Sequence, residues 1–187
     1  MIVEETQLKD CYRVSFPTLA DDRGSFVRSF DRSAFAKIGL HAPVDHSAEA
    51  FNPNGFTLRG MHFQGDPHPD AKLVRCTSGT AFDVVVDLRP GSPSYKKWLR
   101  TILKGEESHK AVWVPKGFAH GYLTLSANTT LSYHLFTPFE PDLQRGFRFD
   151  DPEIGIEWPS HPKIIGERDR GLPSFSTLVP QLKPIAS

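Results

Sequence analysis

Phe82-Asp83-Val84-Val85-Val86-Asp87-Leu88 is the stretch that decides the fold. Phe82, Val84, Val86 and Leu88 fall on one side of an extended chain, and Asp83, Val85 and Asp87 fall on the other. This is the period of two of a β-strand. Arg89-Pro90-Gly91-Ser92-Pro93 follows as a loop. Similar short runs appear on both sides. Lys72-Leu73-Val74-Arg75-Cys76 precedes a turn at Ser78-Gly79, and Ala111-Val112-Trp113-Val114 is closed by Pro115-Lys116-Gly117. The runs His120–Leu125 and Thr129–Phe136 are joined across Ser126-Ala127-Asn128. Short strands at this spacing predict an all-β sandwich or barrel. One early helix is predicted, capped by Asp31, with Phe35 and Ile38 on one side and Gly39 at its end. Beyond Thr137 the chain is rich in Pro, Gly and charge, which predicts irregular structure and short helices.

At 187 residues the chain is expected to form one domain with a sizeable core. Its 22 basic and 22 acidic residues balance to a formal net charge of zero. That argues against a nucleic-acid coat or a membrane-surface protein, since both usually carry excess positive charge. Two cysteines, Cys11 and Cys76, form no CxxC pair and no zinc spacing, so a reduced, cytoplasmic setting is expected. The amino-terminal residues lack the pattern of a signal peptide, and no apolar run reaches membrane-spanning length.

Candidate chemistry begins in Thr57-Leu58-Arg59-Gly60-Met61-His62-Phe63-Gln64, another strand-like run. Simple alternation puts His62 on the face opposite Arg59, Met61 and Phe63. A histidine held on a rigid strand beside a cavity suits a general base, because imidazole titrates near working pH. Lys72, Asp83, His120 and Tyr133 lie on other strands at positions compatible with one shared cavity. A base, a cation and a phenol together suit proton transfer at a carbon next to a carbonyl. Taken singly, each has a plainer reading: Lys72 as a solvated strand lysine, Tyr133 as a core tyrosine, Asp83 and Asp87 as the wet face of a strand. A metal site is disfavoured, because no HxH occurs and Asp66, Pro67 and Pro69 break the strand between His62 and His68. There is no Gly-rich phosphate loop. A phosphate would therefore be held by arginine or lysine side chains, with Arg23, Arg28, Arg59 and Arg168 as candidates.

Several separated motifs resemble the dTDP-4-dehydrorhamnose 3,5-epimerase family. They are Asp22-Arg23-Gly24-Ser25-Phe26, Leu58 to Gln64, Lys72 to Cys76, Val114 to Gly121, Arg145 to Pro152, Gly155 to Pro159 and Glu167-Arg168-Asp169. The resemblance runs in order from about residue 9 to 175. It implies an all-β, cupin-type jelly roll, with a core over about 45–140, an irregular segment over about 141–187 and a few short peripheral helices. It also implies a homodimer that works without metal or cofactor on a nucleotide-linked 4-keto-6-deoxy sugar.

By the same resemblance His62 is the base, Asp169 its orienting partner, Lys72 the group that stabilises the enolate and Tyr133 the acid on the far face. His120 and Arg59 match substrate- and phosphate-contacting positions, Arg23 a pyrophosphate contact, and Phe139 an aromatic that stacks on the nucleotide base. Phe26, Ser47, Glu49, Asn52, Gln144, Arg28 and Arg168 complete the expected substrate-binding set. Some of these depart from the family pattern. Ser47 to Asn52 stand where members carry Gln, Asn and Ser; Arg28 replaces a common Glu, and Gln144 a later glutamate. Three matters stay open at this stage: a single-centre epimerase or a CDP- or GDP-linked substrate, a non-catalytic sugar-nucleotide binding module, and Asp83 rather than Asp169 as the partner of His62.

Overall fold

The structure, a computed structural model, describes residues 1–41 and 43–183. Strands dominate it, as the alternating runs predict. In chain order they are β1 (Ile2–Glu5), β2 (Tyr12–Ser15), β3 (Thr18–Asp21), β4 (Gly24–Val27), β5 (His46–Asn52), β6 (Thr57–Gln64) and β7 (Lys72–Ser78). They continue with β8 (Thr80–Asp87), β9 (Trp98–Lys104), β10 (Lys110–Val114), β11 (Phe118–Thr124), β12 (Thr129–Leu135), β13 (Gln144–Gly146) and β14 (Ile164–Ile165). Three short helices, α1 (Arg32–Ala36), α2 (Glu167–Arg170) and α3 (Phe175–Leu178), lie at the periphery.

Two antiparallel sheets face each other and form the jelly roll. The first runs β1-β2-β10-β7-β12-β5 and the second β13-β6-β11-β8-β9, with β14 alongside β6 in parallel. The amino-terminal strands thus extend the first sheet, and the carboxy-terminal segment adds strands to the second. The helix near the start forms where expected. The Asp31 side chain accepts the Ala34 N–H at 3.0 Å, and Gly39 takes a positive φ of 82° just past its end. Phe35 is buried on the first sheet, whereas Ile38 falls after the last helical residue and stays exposed.

The core is layered. Between the sheets lie Val74, Cys76 and Leu131 from one side and Ala81, Val85, Leu103 and Phe118 from the other. Outside the first sheet, Leu73, Ala111, Trp113 and Phe136 pack on Phe16 and Phe35. Outside the second, Leu58, Met61, Phe82, Val84, Val86 and Leu123 are covered by Phe147, Ile154, Phe175 and Leu178. β8 is therefore dry on both faces. The plain reading of Asp83 and Asp87 as a wet face does not hold: they are 1% and 0% exposed, because the face opposite Phe82, Val84 and Val86 looks into the barrel.

A carboxylate buried this far needs partners. Asp87 accepts hydrogen bonds from Arg89 Nε at 2.9 Å, Arg89 Nη2 at 2.8 Å, and the hydroxyls of Ser92 and Ser94 at 2.6 Å each. Arg89 Nη1 also donates to Asp10 at 2.8 Å, which ties the amino-terminal segment to the end of β8. Burial pushes the Asp87 carboxyl up, but the donors from Arg89, Ser92 and Ser94 outweigh it and hold it below the usual carboxylate range. Removing one partner of such a network leaves the others unpaired. Asp87→Asn should therefore lower stability by about 3–5 kcal/mol in denaturant titrations near pH 7. Because the folded carboxyl titrates low, this contribution is full above about pH 4 and fades as the pH falls through the folded value. The difference between wild type and variant should accordingly shrink in acid, and a pH-independent difference would contradict the assignment.

Candidate active site

One cavity of about 630 Å³ opens between the sheets. Its walls carry His46 and Ala48 from β5, Arg59, His62 and Gln64 from β6, and Lys72 from β7. His120 and Tyr122 from β11 and Tyr133 from β12 join them, and Asp169 reaches in from α2. His62 and Arg59 share this cavity, against the expectation from simple alternation. The reason lies in the pairing of β6 with β11. His120 pairs with His62 but Tyr122 pairs with Arg59, so three steps along β6 match two along β11. The extra residue is a β-bulge, and it flips the phase of everything before it. Two glycines permit the close approach there. A Cβ on Gly60 would sit 2.6 Å from Gly121 Cα, and one on Gly121 would sit 2.6 Å from Met61 Sδ.

The polar groups of the cavity come in pairs. His62 Nε2 lies 2.7 Å from Asp169 Oδ1, and Asp169 Oδ2 accepts the Gly60 N–H at 3.0 Å. Burial pushes the Asp169 carboxyl up, yet the bonds from His62 and Gly60 outweigh it and leave it below the usual range. It is therefore an anion at neutral pH and fixes the imidazole by one nitrogen, leaving the other for the cavity. Asp83 pairs instead with His120, its Oδ2 2.6 Å from Nε2. Lys72 Nζ lies 2.7 Å from Asp70 Oδ2. Arg59 Nε donates to Asn52 Oδ1 at 3.0 Å, and Asn52 Nδ2 donates to the Tyr122 hydroxyl at 3.1 Å. Asn52 thus acts from behind the wall, by holding Arg59.

Tyr133 faces His62 from the other sheet. Burial raises its phenol well above the ordinary value, and the neighbouring Tyr122 and Asp83 add to the effect. It keeps its proton at neutral pH. Its ring also stands edge-on to His120, with centroids 5.9 Å apart. Phe139, Gln144 and Arg168 line the same cavity.

Other sequence candidates lie elsewhere. Ser47 and Glu49 occupy the alternate positions of β5, and Ser47 Oγ pairs with His134 Nδ1 at 2.9 Å rather than lining the cavity. Arg23 and Phe26 sit on the exposed β3–β4 hairpin, where Arg23 pairs with Asp21; Arg28, just beyond it, pairs with Asp31. None of these three lines the cavity. Polar cavity residues that were not sequence candidates include His46, Gln64, Asp70 and Tyr122. Gln64 and Tyr122 were detectable as the residues two beyond His62 and His120 on the same strands. Among the described residues no group of three His, Cys, Asp or Glu is placed to hold a metal ion, and no helix is long and apolar enough to cross a membrane.

Known proteins share this sequence pattern and this fold. The family model for dTDP-4-dehydrorhamnose 3,5-epimerase matches residues 5–177. The Sinorhizobium fredii dTDP-4-dehydrorhamnose 3,5-epimerase is 42% identical over 159 residues, covering 84% of this chain and 81% of that protein. The Escherichia coli enzyme of the same name is 38% identical over 192 residues, covering 100% of both. Among solved structures, the Legionella pneumophila dTDP-6-deoxy-D-glucose-3,5-epimerase in complex with dTDP-4-keto-L-rhamnose superposes with a TM-score of 0.93 at 28% identity, covering 100% of this chain and 99% of that one. The Bacillus anthracis dTDP-4-dehydrorhamnose 3,5-epimerase with TDP and pyrophosphate bound gives 0.89 at 33% identity, covering 93% and 99%. With the family pattern matched across residues 5–177 and relatives aligned over most or all of their length, this protein belongs to the dTDP-4-dehydrorhamnose 3,5-epimerase family and is an isomerase.

Proposed function

We propose that the protein inverts C3 and C5 of dTDP-4-dehydro-6-deoxyglucose to give dTDP-4-dehydrorhamnose, with His62 as base and Tyr133 as acid. The observation that carries this reading is that the two groups stand on different sheets across one cavity. A C4 ketone acidifies the hydrogens on C3 and C5. His62 takes one as a proton, and the electron pair left on carbon moves into the ring to make a C4 enolate. Lys72 faces the developing oxyanion. Tyr133 then returns a proton to the opposite face of the same carbon, which inverts it. His62 then releases its proton to solvent and Tyr133 takes one back, and the process repeats at the second carbon once the ring has presented it to His62. Asp169 orients the imidazole and balances the charge it gains. His120, held by Asp83, lies beside this path as a second donor to the sugar.

The nucleotide is assigned to the end of the cavity lined by Phe139, Gln144 and Arg168, with Arg59 on the phosphates. Arg23, Phe26 and Arg28 serve a substrate only from outside their own cavity. The β3–β4 hairpin that carries the first two is a two-stranded sheet by itself, and Leu19 and Phe26 on it are 69% and 62% exposed. Isolated hairpins of this kind are marginal in water. A second copy of the chain, forming a homodimer, gives these residues both a packing surface and a ligand. The setting is taken as cytoplasmic, in line with two buried free thiols.

Incubation with dTDP-4-keto-6-deoxyglucose in heavy water should place deuterium at both C3 and C5 by NMR, whereas label at one carbon alone would establish a single-centre enzyme. His62→Ala should lose carbon-proton exchange by at least about 10²–10⁴-fold. Asp169→Asn should lower it substantially while leaving the fold intact. Tyr133→Phe should keep exchange measurable while product inversion falls, because proton removal does not need the phenol. Full activity in His62→Ala would overturn the role of base. Light scattering should return the mass of two chains, and a monomer mass would overturn the dimer.

A further inference from the structure

We propose that Asp70 is a positioning residue for the reaction, its carboxylate pairing with the Lys72 ammonium and holding it at a fixed distance from the base so that its N–H groups meet the oxygen that gains charge. The inference rests on the reading of Lys72 given above. Asp70 lies in the connection between β6 and β7, where Pro67 and Pro69 leave no strand, and its carboxylate faces the cavity. Its Oδ2 is 2.7 Å from Lys72 Nζ, and both side chains are 9% exposed. Its Oδ1 accepts the backbone N–H of Gln64 at 2.9 Å. One carboxylate therefore joins the cation to the strand that carries His62, two residues from the base itself.

The anchor at the far end is rigid. The Gln64 side-chain amide donates to the carbonyls of His68 at 2.7 Å and Pro138 at 3.0 Å, and its oxygen accepts from Glu140 N at 3.0 Å and Gln144 Nε2 at 2.8 Å. Lysine differs from arginine in being a point charge on a flexible four-carbon stem. Left alone it spreads over many rotamers and is a poor electrostatic catalyst, since preorganisation is what makes such groups effective. Among the described residues Lys72 has no other ion-pair partner. Asp70 holds the ammonium by its charge and leaves N–H groups for the cavity.

Asp70→Asn removes the charge while keeping an oxygen for the Gln64 N–H, so it tests the pairing with little change in shape. Exchange kinetics with dTDP-4-keto-6-deoxyglucose should show kcat lower by about 10- to 100-fold, the scale of a misplaced catalytic group, with KM within about threefold. Asp70→Glu, which returns the charge, should recover part of the loss. In a Lys72→Met background, where residual exchange is followed by deuterium uptake, Asp70→Asn should add less than about twofold, because the two residues act as one unit. A kcat for Asp70→Asn near that of wild type would overturn the inference, as would a Glu variant no better than Asn. An equal Asp70→Asn effect in both backgrounds would overturn it too, since the carboxylate would then act only by supporting β6. Full activity of Lys72→Met would instead remove the reading of Lys72, and this inference with it.

Discussion

β8, in the middle of the second sheet, is dry on both faces, and much of what distinguishes this site follows from that. The carboxy-terminal segment covers the sheet's outer face with Phe147, Ile154, Phe175 and Leu178. Its inner face looks into a barrel closed by the first sheet. A polar side chain buried on that inner face, such as Asp83 or His120, has no bulk water to lean on, and an unpaired charge there would cost several kcal/mol. The structure answers with pairing throughout: Asp83 with His120, Asp169 with His62, Asp70 with Lys72, and Asn52 with Arg59. The same pairing that makes burial tolerable also fixes the direction of each group. Preorganisation of the cavity is thus a by-product of satisfying its polar atoms.

Electrostatics then separate the roles of groups that sequence alone leaves equivalent. Two histidines and two aspartates could be matched in two ways. The fold resolves the choice, since Asp169 comes from α2 beneath β6 while Asp83 lies on β8 directly beside β11. The Asp169 carboxyl is held low and the Tyr133 phenol high, so a stable anion stands behind His62 and a stable O–H stands across from it. The separation holds on both sides of neutral pH, as the proposed base and acid on opposite faces of one ring would require.

Much of this was legible in the residues. The strands β7, β8, β10, β11 and β12 follow from alternation and from the Gly, Pro and Asn turns that bound them. β5 and β9 do not announce themselves. His46–Asn52 mixes small and polar residues on both faces, and Trp98–Lys104 carries charge at both exposed and half-buried positions. Arg59 was given the wrong face because a bulge at Gly60 shifts the phase, and no period-of-two count can detect an added residue. Asp83 and Asp87 read as a wet face because the cover over the other side of β8 comes from residues more than fifty positions away. His46 and Ala48, rather than Ser47 and Glu49, face the cavity, and that depends on a register which only the pairing of β5 with β12 sets. Asp70 was missed because it sits in a Pro-broken connection with no periodicity to read.

The cover over the second sheet has one more consequence, which concerns the order in which the chain is made. The residues that dry Leu58, Phe82 and Val84 run from Phe147 to Leu178, and the carboxylate that aligns His62 lies among them at position 169. A chain released before this segment would present a bare apolar sheet and an imidazole with no orienting partner. Solubility and reactivity therefore arrive together, once this later segment has been synthesised. An unfinished molecule is self-marking: it would be adhesive, and so recognisable to any system that binds exposed apolar surface, before it could act on a sugar.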